Sequence, residues 1–117
     1  MTLPRDAMLL RVFIGEDDKT REHHPLYEAI VRRAREAHVA GATVLRGPMG
    51  FGRSSRIHAT KILHLAEDMP VVIEIVDTEE KIKAFLPILD DVMTSGLVTL
   101  EKVQVLQYGT HVKHEPA

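Results

Sequence analysis

Two segments of the chain, residues 8–15 and 70–76, are almost continuously apolar and rich in residues that favour β-strands. Successive side chains of a strand point to opposite faces of the sheet, so Leu9 and Phe13 lie opposite Leu10. Both faces of each strand are therefore largely apolar, and Glu74 is the only polar residue of the second segment. This pattern predicts a first strand with two largely apolar faces and, over residues 70–76, a strand that is buried on both faces.

Two further strands are predicted in residues 42–49 and in the segment after Gly96. The apolar phase of the last strand changes along its length, from Val98 and Leu100 to residues Val103 and Val105. Such a change predicts a β-bulge near Glu101 or two short strands.

Apolar residues at helical spacing predict two amphipathic helices. In the first, Pro25 suits the opening turn and Gly41 is expected to end the helix in a left-handed conformation. In the second, Asp77 is expected to cap the helix with Glu80 completing a capping box, and Pro87 is expected to kink the helix or delay its start. The apolar stripes are Leu26, Ala29, Ile30, Ala34 and Ala37 in the first helix and Ile82, Phe85, Leu86, Leu89, Val92 and Met93 in the second.

The order strand, helix, strand, strand, helix, strand predicts an α+β fold, a ferredoxin-like βαββαβ sandwich with two helices on one face of an antiparallel sheet. We expect one domain over residues 8–108, a flexible tail over 109–117, and a long mobile loop with a short helix over 50–68. The other sheet face would remain apolar and uncovered, which predicts a closed homo-oligomer that buries it.

Composition excludes several classes of function. The 117 residues suffice for one domain, and a net charge of −2 argues against a general affinity for nucleic acid. No cysteine is present, which excludes disulfides and thiolate sites. The first residues resemble neither a secretory signal nor a membrane span, so a cytoplasmic location is expected. The seven histidines lack the spacing of a metal site. Glu74 is expected to pair with Arg11 or Lys102 rather than to act in catalysis.

Residues 41–55, GATVLRGPMGFGRSS, contain four of the seven glycines. Their GxxGxG pattern is not the dinucleotide fingerprint, and no GK[ST] follows to make a phosphate loop. One interpretation is a strand end with a bulge that leads into a loop. The other is an anion cradle of backbone amides, with Arg46, Arg53 and Arg56 as counter-charges.

The run VLRGPMGFGRSS followed by MPVVIEIVD resembles the PII nitrogen-regulatory proteins, in which such segments open and close the long T-loop. The chain is most similar to a PII-like branch known as a domain of unknown function, which shares HPLYEAI, GATVLRG, GFG and the PVVIEIVD strand over residues 8–107. The resemblance implies a homotrimer whose sheets face inward and whose subunit clefts bind adenine nucleotides.

Within this resemblance, Gly50 to Arg53 match the T-loop base and Thr43 matches a threonine that contacts adenine. Ser54 replaces the family's glutamine, residues 94–97 replace its Gly-Asp-Gly-Lys segment, and Val105 and Gln107 stand where arginines are expected. The lost charges predict AMP or ADP, rather than ATP, as ligand. The predicted nucleotide-binding residues are Thr43, Arg46, Gly47, Gly50, Phe51, Gly52, Arg53, Arg56 and Gly96.

The resemblance implies a non-enzymatic signalling protein that requires no cofactor. Nucleotide binding would change the order of residues 54–67, and a protein partner such as a membrane transporter would recognise that loop. The loop has no tyrosine, so uridylylation there is not expected. The alternatives are a metal-responsive trimer similar to the divalent-cation-tolerance proteins and a purely structural trimer.

Overall fold

The strands and helices of the computed structural model form the predicted α+β, ferredoxin-like sandwich, with residues 3–51, 57–59 and 69–109 described. The elements are β1 (Asp6–Gly15), α1 (Leu26–Glu36), β2 (Thr43–Arg46), β3 (Met49–Phe51), β4 (Ile57–Ala59), β5 (Pro70–Asp77), α2 (Glu79–Val92) and β6 (Leu97–Gln104).

The main sheet has the strand order β2-β5-β1-β6, and every neighbouring pair is antiparallel. The two long apolar strands, β1 and β5, therefore lie in the centre of the sheet. We call the end where β1 and β2 finish and where β5 and β6 begin the glycine end. The opposite end, where β5 and β6 finish, is the tail end.

One face of the sheet forms the hydrophobic core with the two helices. Leu10 and Val12 of β1 and Ile73 and Ile75 of β5 are completely buried there. Burying a large apolar side chain stabilises the fold by about 1.5–3 kcal/mol, so this layer supplies most of the driving force for folding. The helix residues that complete the core are Leu26, Ile30 and Ala34 of α1 and Ile82, Phe85 and Leu89 of α2.

The helix-free face of the sheet is only partly covered in the single chain. Val72 and Val76 of β5 are half-buried, while Phe13, Leu45 and Leu97 are 36%, 48% and 58% exposed. In the single chain, β5 is therefore fully buried on one face and partly buried on the other, and complete burial of the second face stays a prediction that depends on assembly. The helices cover one face only, and within the chain few residues remain to cover the other.

Both predicted helix-boundary residues have other roles. The left-handed residue after α1 is His38, with φ of 59°, and not Gly41. The N-cap of α2 is Thr78, whose side chain accepts a hydrogen bond from the Lys81 amide at 3.1 Å. Asp77 is completely buried instead. A helix is capped by the residue at which the chain leaves the helix axis. When that point lies one to three residues from the predicted one, a different residue forms the cap.

The predicted bulge in the last strand is absent. β6 pairs continuously with β1 from Leu97 opposite Phe13 to Gln104 opposite Asp6. Val98 and Leu100 lie on the helix-covered face, and Val103 lies on the helix-free face beside β1. β6 is therefore one regular strand. These three apolar residues lie on the helix-covered face in the first half and on the helix-free face in the second half.

Pro87 does not delay the start of α2. α2 begins at Glu79, directly after its cap, and continues through Pro87 to Val92. The Pro87 side chain is exposed. The ring therefore points away from the sheet, and no core contact depends on it.

The segment predicted as a mobile loop contains part of a β-ribbon. Met49–Phe51 pairs with Ile57–Ala59 in an antiparallel pair that is separate from the main sheet. The predicted short helix is wrong at residues 57–59, and the rest of that prediction lies outside the described residues. Of the predicted flexible tail, only Gly109 is described. Within the described part of the chain, no helix is long and apolar enough to cross a membrane.

Candidate functional site

Three of the nine predicted site residues, Arg46, Gly47 and Gly50, lie together around the start of β5 at the glycine end of the sheet. Arg46 is the last residue of β2, opposite Val71 of β5. The Gly47 amide donates a hydrogen bond to the Pro70 carbonyl at 2.8 Å, and Gly50 packs beside the same proline. Gly96 precedes the first residue of β6. Gly96 therefore lies at the same end of the sheet as Arg46 but at the opposite edge, beside Phe13.

Close packing explains the glycines at positions 47 and 96. A Cβ atom on Gly47 would lie 3.1 Å from Pro70 Cγ, and one on Gly96 would lie 2.8 Å from the Phe13 carbonyl oxygen. Gly96 also has φ of 130°, a conformation that side chains disfavour. These glycines therefore have a geometric role at strand ends, and that role is compatible with a nearby ligand.

Arg46 is paired with a carboxylate that the sequence analysis did not identify. Its Nη2 atom lies 2.8 Å from Oε2 of Glu16, which follows β1 directly. The Glu16 amide donates to the Met69 carbonyl at 2.8 Å, so this residue also anchors the start of β5. The acidic run after the first strand was a usable signal, because parallel strands β1 and β2 finish at the same end of the sheet.

The remaining predicted site residues are less closely grouped. Thr43 is exposed on the helix-free face opposite Glu74, three positions along β2 from Arg46 and on the opposite face of the strand. Phe51 lies in β3 with its ring 71% exposed. Gly52, Arg53 and Arg56 lie outside the described residues.

A charged group occupies the middle of the helix-free face. Arg11 Nε donates to Glu74 Oε2 at 2.9 Å, and its Nη1 donates to Glu101 Oε2 at 3.1 Å. The hydrogen bond to Glu74 raises the pKa of Arg11 above its usual value. The predicted pairing of Glu74 with Arg11 is confirmed. The alternative partner, Lys102, lies on the other face of the sheet.

Two other features bear on where a ligand could bind. A groove of about 460 Å³ lies at the tail end between β1, β6 and the start of α2, and it is lined by both acidic and basic side chains, among them Asp6, Glu79 and Lys102. It contains none of the predicted site residues. Within residues 3–51 and 69–109, no group of three or more histidine or carboxylate side chains is placed to hold a metal ion.

Solved structures with a similar fold come from the PII-like proteins. CPII, a nitrogen regulatory PII-like protein from Thiomonas intermedia K12, superposes with a TM-score of 0.58 over 86% of this chain and 88% of CPII, at 19% identity. That structure is bound to ADP, AMP and bicarbonate. A second CPII structure, bound to ADP and bicarbonate, has a TM-score of 0.51 at 22% identity over the same shares of both chains. The expected PII-like fold is therefore confirmed.

Sequence relatives give the family. A UPF0166 protein of Aquifex aeolicus (strain VF5) is 43% identical over 98 residues, which are 84% of this chain and 91% of the relative. The UPF0166 protein MJ1524 of Methanocaldococcus jannaschii is 32% identical over 106 residues, 90% of this chain and 96% of the relative. The family model described as DUF190 (Uncharacterized ACR, COG1993) matches residues 7–105. This chain, with its PII-like ferredoxin fold, belongs to the DUF190 family.

Proposed function

We propose that this protein is a trimeric, non-enzymatic and cytoplasmic regulator that binds an adenine nucleotide between subunits, and that it prefers AMP or ADP to ATP. The observation that carries the proposal is the grouping of Arg46, Gly47 and Gly50 around the start of β5, with Gly96 at the same end of a PII-like sheet. The ADP and AMP in the CPII structures support an adenine nucleotide as the ligand class.

The exposed apolar residues of the helix-free face support assembly into a trimer. Phe13, Leu45 and Leu97 all lie on this face, toward the glycine end. Burial of apolar surface is worth about 25 cal/mol per Å², so covering these side chains with another copy is favourable. A trimer with inward-facing sheets covers all three faces at once and leaves the glycine ends near subunit boundaries.

Signalling would use the segment that connects β3 to β5. The ligand binds beside Gly50, where β3 leads into this segment, and the segment returns at Met69 beside Glu16. A nucleotide changes the loop only if it binds one loop state more tightly than the other. A protein partner, such as a membrane transporter, would then distinguish the two states.

Native mass spectrometry of the purified protein tests the assembly and the ligand together. We expect the mass of three chains with a retained adenine nucleotide, and a monomer at micromolar concentration would overturn the trimer. Calorimetry with AMP, ADP and ATP then tests the site. Arg53→Ala should weaken binding at least tenfold, because a charge-assisted contact contributes about 1.5–3 kcal/mol.

The matched control is Arg32→Ala, which removes the same side chain from the exposed surface of α1. This variant should bind as the wild type does. If the wild-type protein releases no heat with any of the three nucleotides, the nucleotide assignment fails.

A further inference from the structure

We propose that Glu16 is a charge filter for the candidate nucleotide site, so that each additional phosphate on the ligand is disfavoured. This inference rests on the proposed binding of a nucleotide at the glycine end, and it assigns the preference for AMP or ADP over ATP to one residue of the chain. The absence of arginines that the PII family has already predicts this preference. Glu16 adds a carboxylate of this chain that weakens the binding of ligands with more phosphates.

The geometry of the pair leaves Arg46 accessible while Glu16 is held in place. The Glu16 side chain is 24% exposed and the Arg46 side chain is 55% exposed. The backbone of Glu16 is fixed by its hydrogen bond to Met69. A guanidinium group has five N–H donors, and the contact with Glu16 engages Nη2 only. The other donors of Arg46 can therefore meet a ligand while the carboxylate remains beside it.

The surrounding charges act in the same direction. Residues 16–18 form an acidic turn with three carboxylates, and the Gly15 amide donates to Asp18 Oδ2 at 2.9 Å, which holds the turn against the end of β1. The repulsion between the Glu16 carboxylate and a ligand bound to Arg46 rises with each negative charge of the ligand.

The test is calorimetry of wild type and Glu16→Gln with AMP, ADP and ATP, without divalent cations. Near pH 8 these ligands carry about two, three and four negative charges, since the second phosphate ionisation lies near pH 6. Glutamine keeps the size of the side chain and an acceptor for Arg46. We expect Glu16→Gln to bind ATP about tenfold more tightly, ADP about fivefold and AMP about twofold, with smaller gains at high salt because salt screens exposed charges.

Glu36→Gln is the matched control, since it removes one exposed carboxylate from the last turn of α1, at the opposite end of the sheet. It should leave all three affinities unchanged. The wild-type protein supplies a test that needs no variant, because its preference for AMP over ATP should decrease as salt is raised.

Each result separates the two proposals. If the wild type binds nucleotides and Glu16→Gln changes all three affinities equally, in either direction, Glu16 positions Arg46 and the charge filter is wrong. If the wild type prefers AMP by the same factor at low and high salt, the filter is also wrong. If neither protein binds any of the three ligands, the proposed function fails and the filter fails with it.

Discussion

The two ends of the sheet differ on the same helix-free face. At the tail end, Ala7 and Leu9 of β1 are 7% and 8% exposed, although no helix covers them. At the glycine end, Phe13 of the same strand and its neighbour Leu97 are much more exposed. The difference shows that the chain's own residues cover the tail end of this face and leave the glycine end exposed in the single chain.

Hydrogen bonds around Ala40 close the tail end. The Asp77 carboxylate accepts from the amides of Ala40 at 2.8 Å and Thr78 at 2.7 Å. The hydroxyl of Tyr108 donates to the Ala40 carbonyl at 2.8 Å. Ala40 precedes β2 at one edge of the sheet, and Tyr108 follows β6 at the other. The chain after β6 therefore crosses from edge to edge at this end.

The largest effect is expected from adding a methyl group at the glycine end. Gly96→Ala places Cβ about 2.8 Å from the Phe13 carbonyl oxygen and 2.7 Å from Met93 Cε, at a φ of 130°. We expect the free energy of unfolding to fall by about 2–4 kcal/mol, measured by chemical denaturation.

Gly41→Ala is the control for that substitution, because a Cβ atom there meets nothing within 4 Å. The free energy of unfolding should stay the same or rise by up to about 1 kcal/mol. Equal destabilisation by the two substitutions would contradict the assignment of backbone strain to Gly96.

A somewhat smaller effect is expected from removing the buried carboxylate at the tail end. Asp77→Ala leaves the amides of Ala40 and Thr78 without their acceptor, and Asp77 is completely buried. The free energy of unfolding should fall by about 2–3 kcal/mol, because each orphaned buried donor costs about 1–3 kcal/mol. Asp90→Ala, at an exposed position of α2, should change stability by less than about 0.5 kcal/mol. Similar values for both variants would show that Asp77 does not close this end.

The smallest effect is expected from Tyr108→Phe. The ring is 42% exposed, so water can replace the lost hydrogen bond to Ala40, and the free energy of unfolding should fall by no more than about 1 kcal/mol. Hydrogen exchange should nevertheless become faster at the Ala40 and Val105 amides, which hold the crossing segment. Tyr27→Phe is the control, since its hydroxyl has no hydrogen bond to the described residues. Unchanged exchange in Tyr108→Phe would mean that the crossing segment is held by other contacts.

The strands and helices were largely predictable from residue periodicity. The strands β1 and β5 followed from their apolar runs, and the predicted stripes of α1 and α2 include every buried apolar residue of the two helices. The errors occurred where side chains had to be assigned to particular boundaries, as with Asp77 in place of Thr78 and Gly41 in place of His38. A further error was the predicted bulge in β6, which was inferred from the change in its apolar pattern. The pattern of apolar residues does not show which face of a strand is covered.

The candidate site was predictable only in part. The glycine stretch indicated the region of the candidate site, but the pairing of Arg46 with Glu16 spans 30 residues and depends on β1 and β2 finishing at the same end of the sheet. The position of Gly96 beside Phe13 depends in the same way on the pairing of β6 with β1.

By itself, the sequence determined the fold class of this protein, because the spacing of apolar residues decides which segments can bury a face as helix or as strand. Only the tertiary structure decided which charges lie together at the glycine end and which end of the helix-free face remains open. Those features depend on distances between residues that are far apart in the chain, and no local pattern of residues encodes such distances.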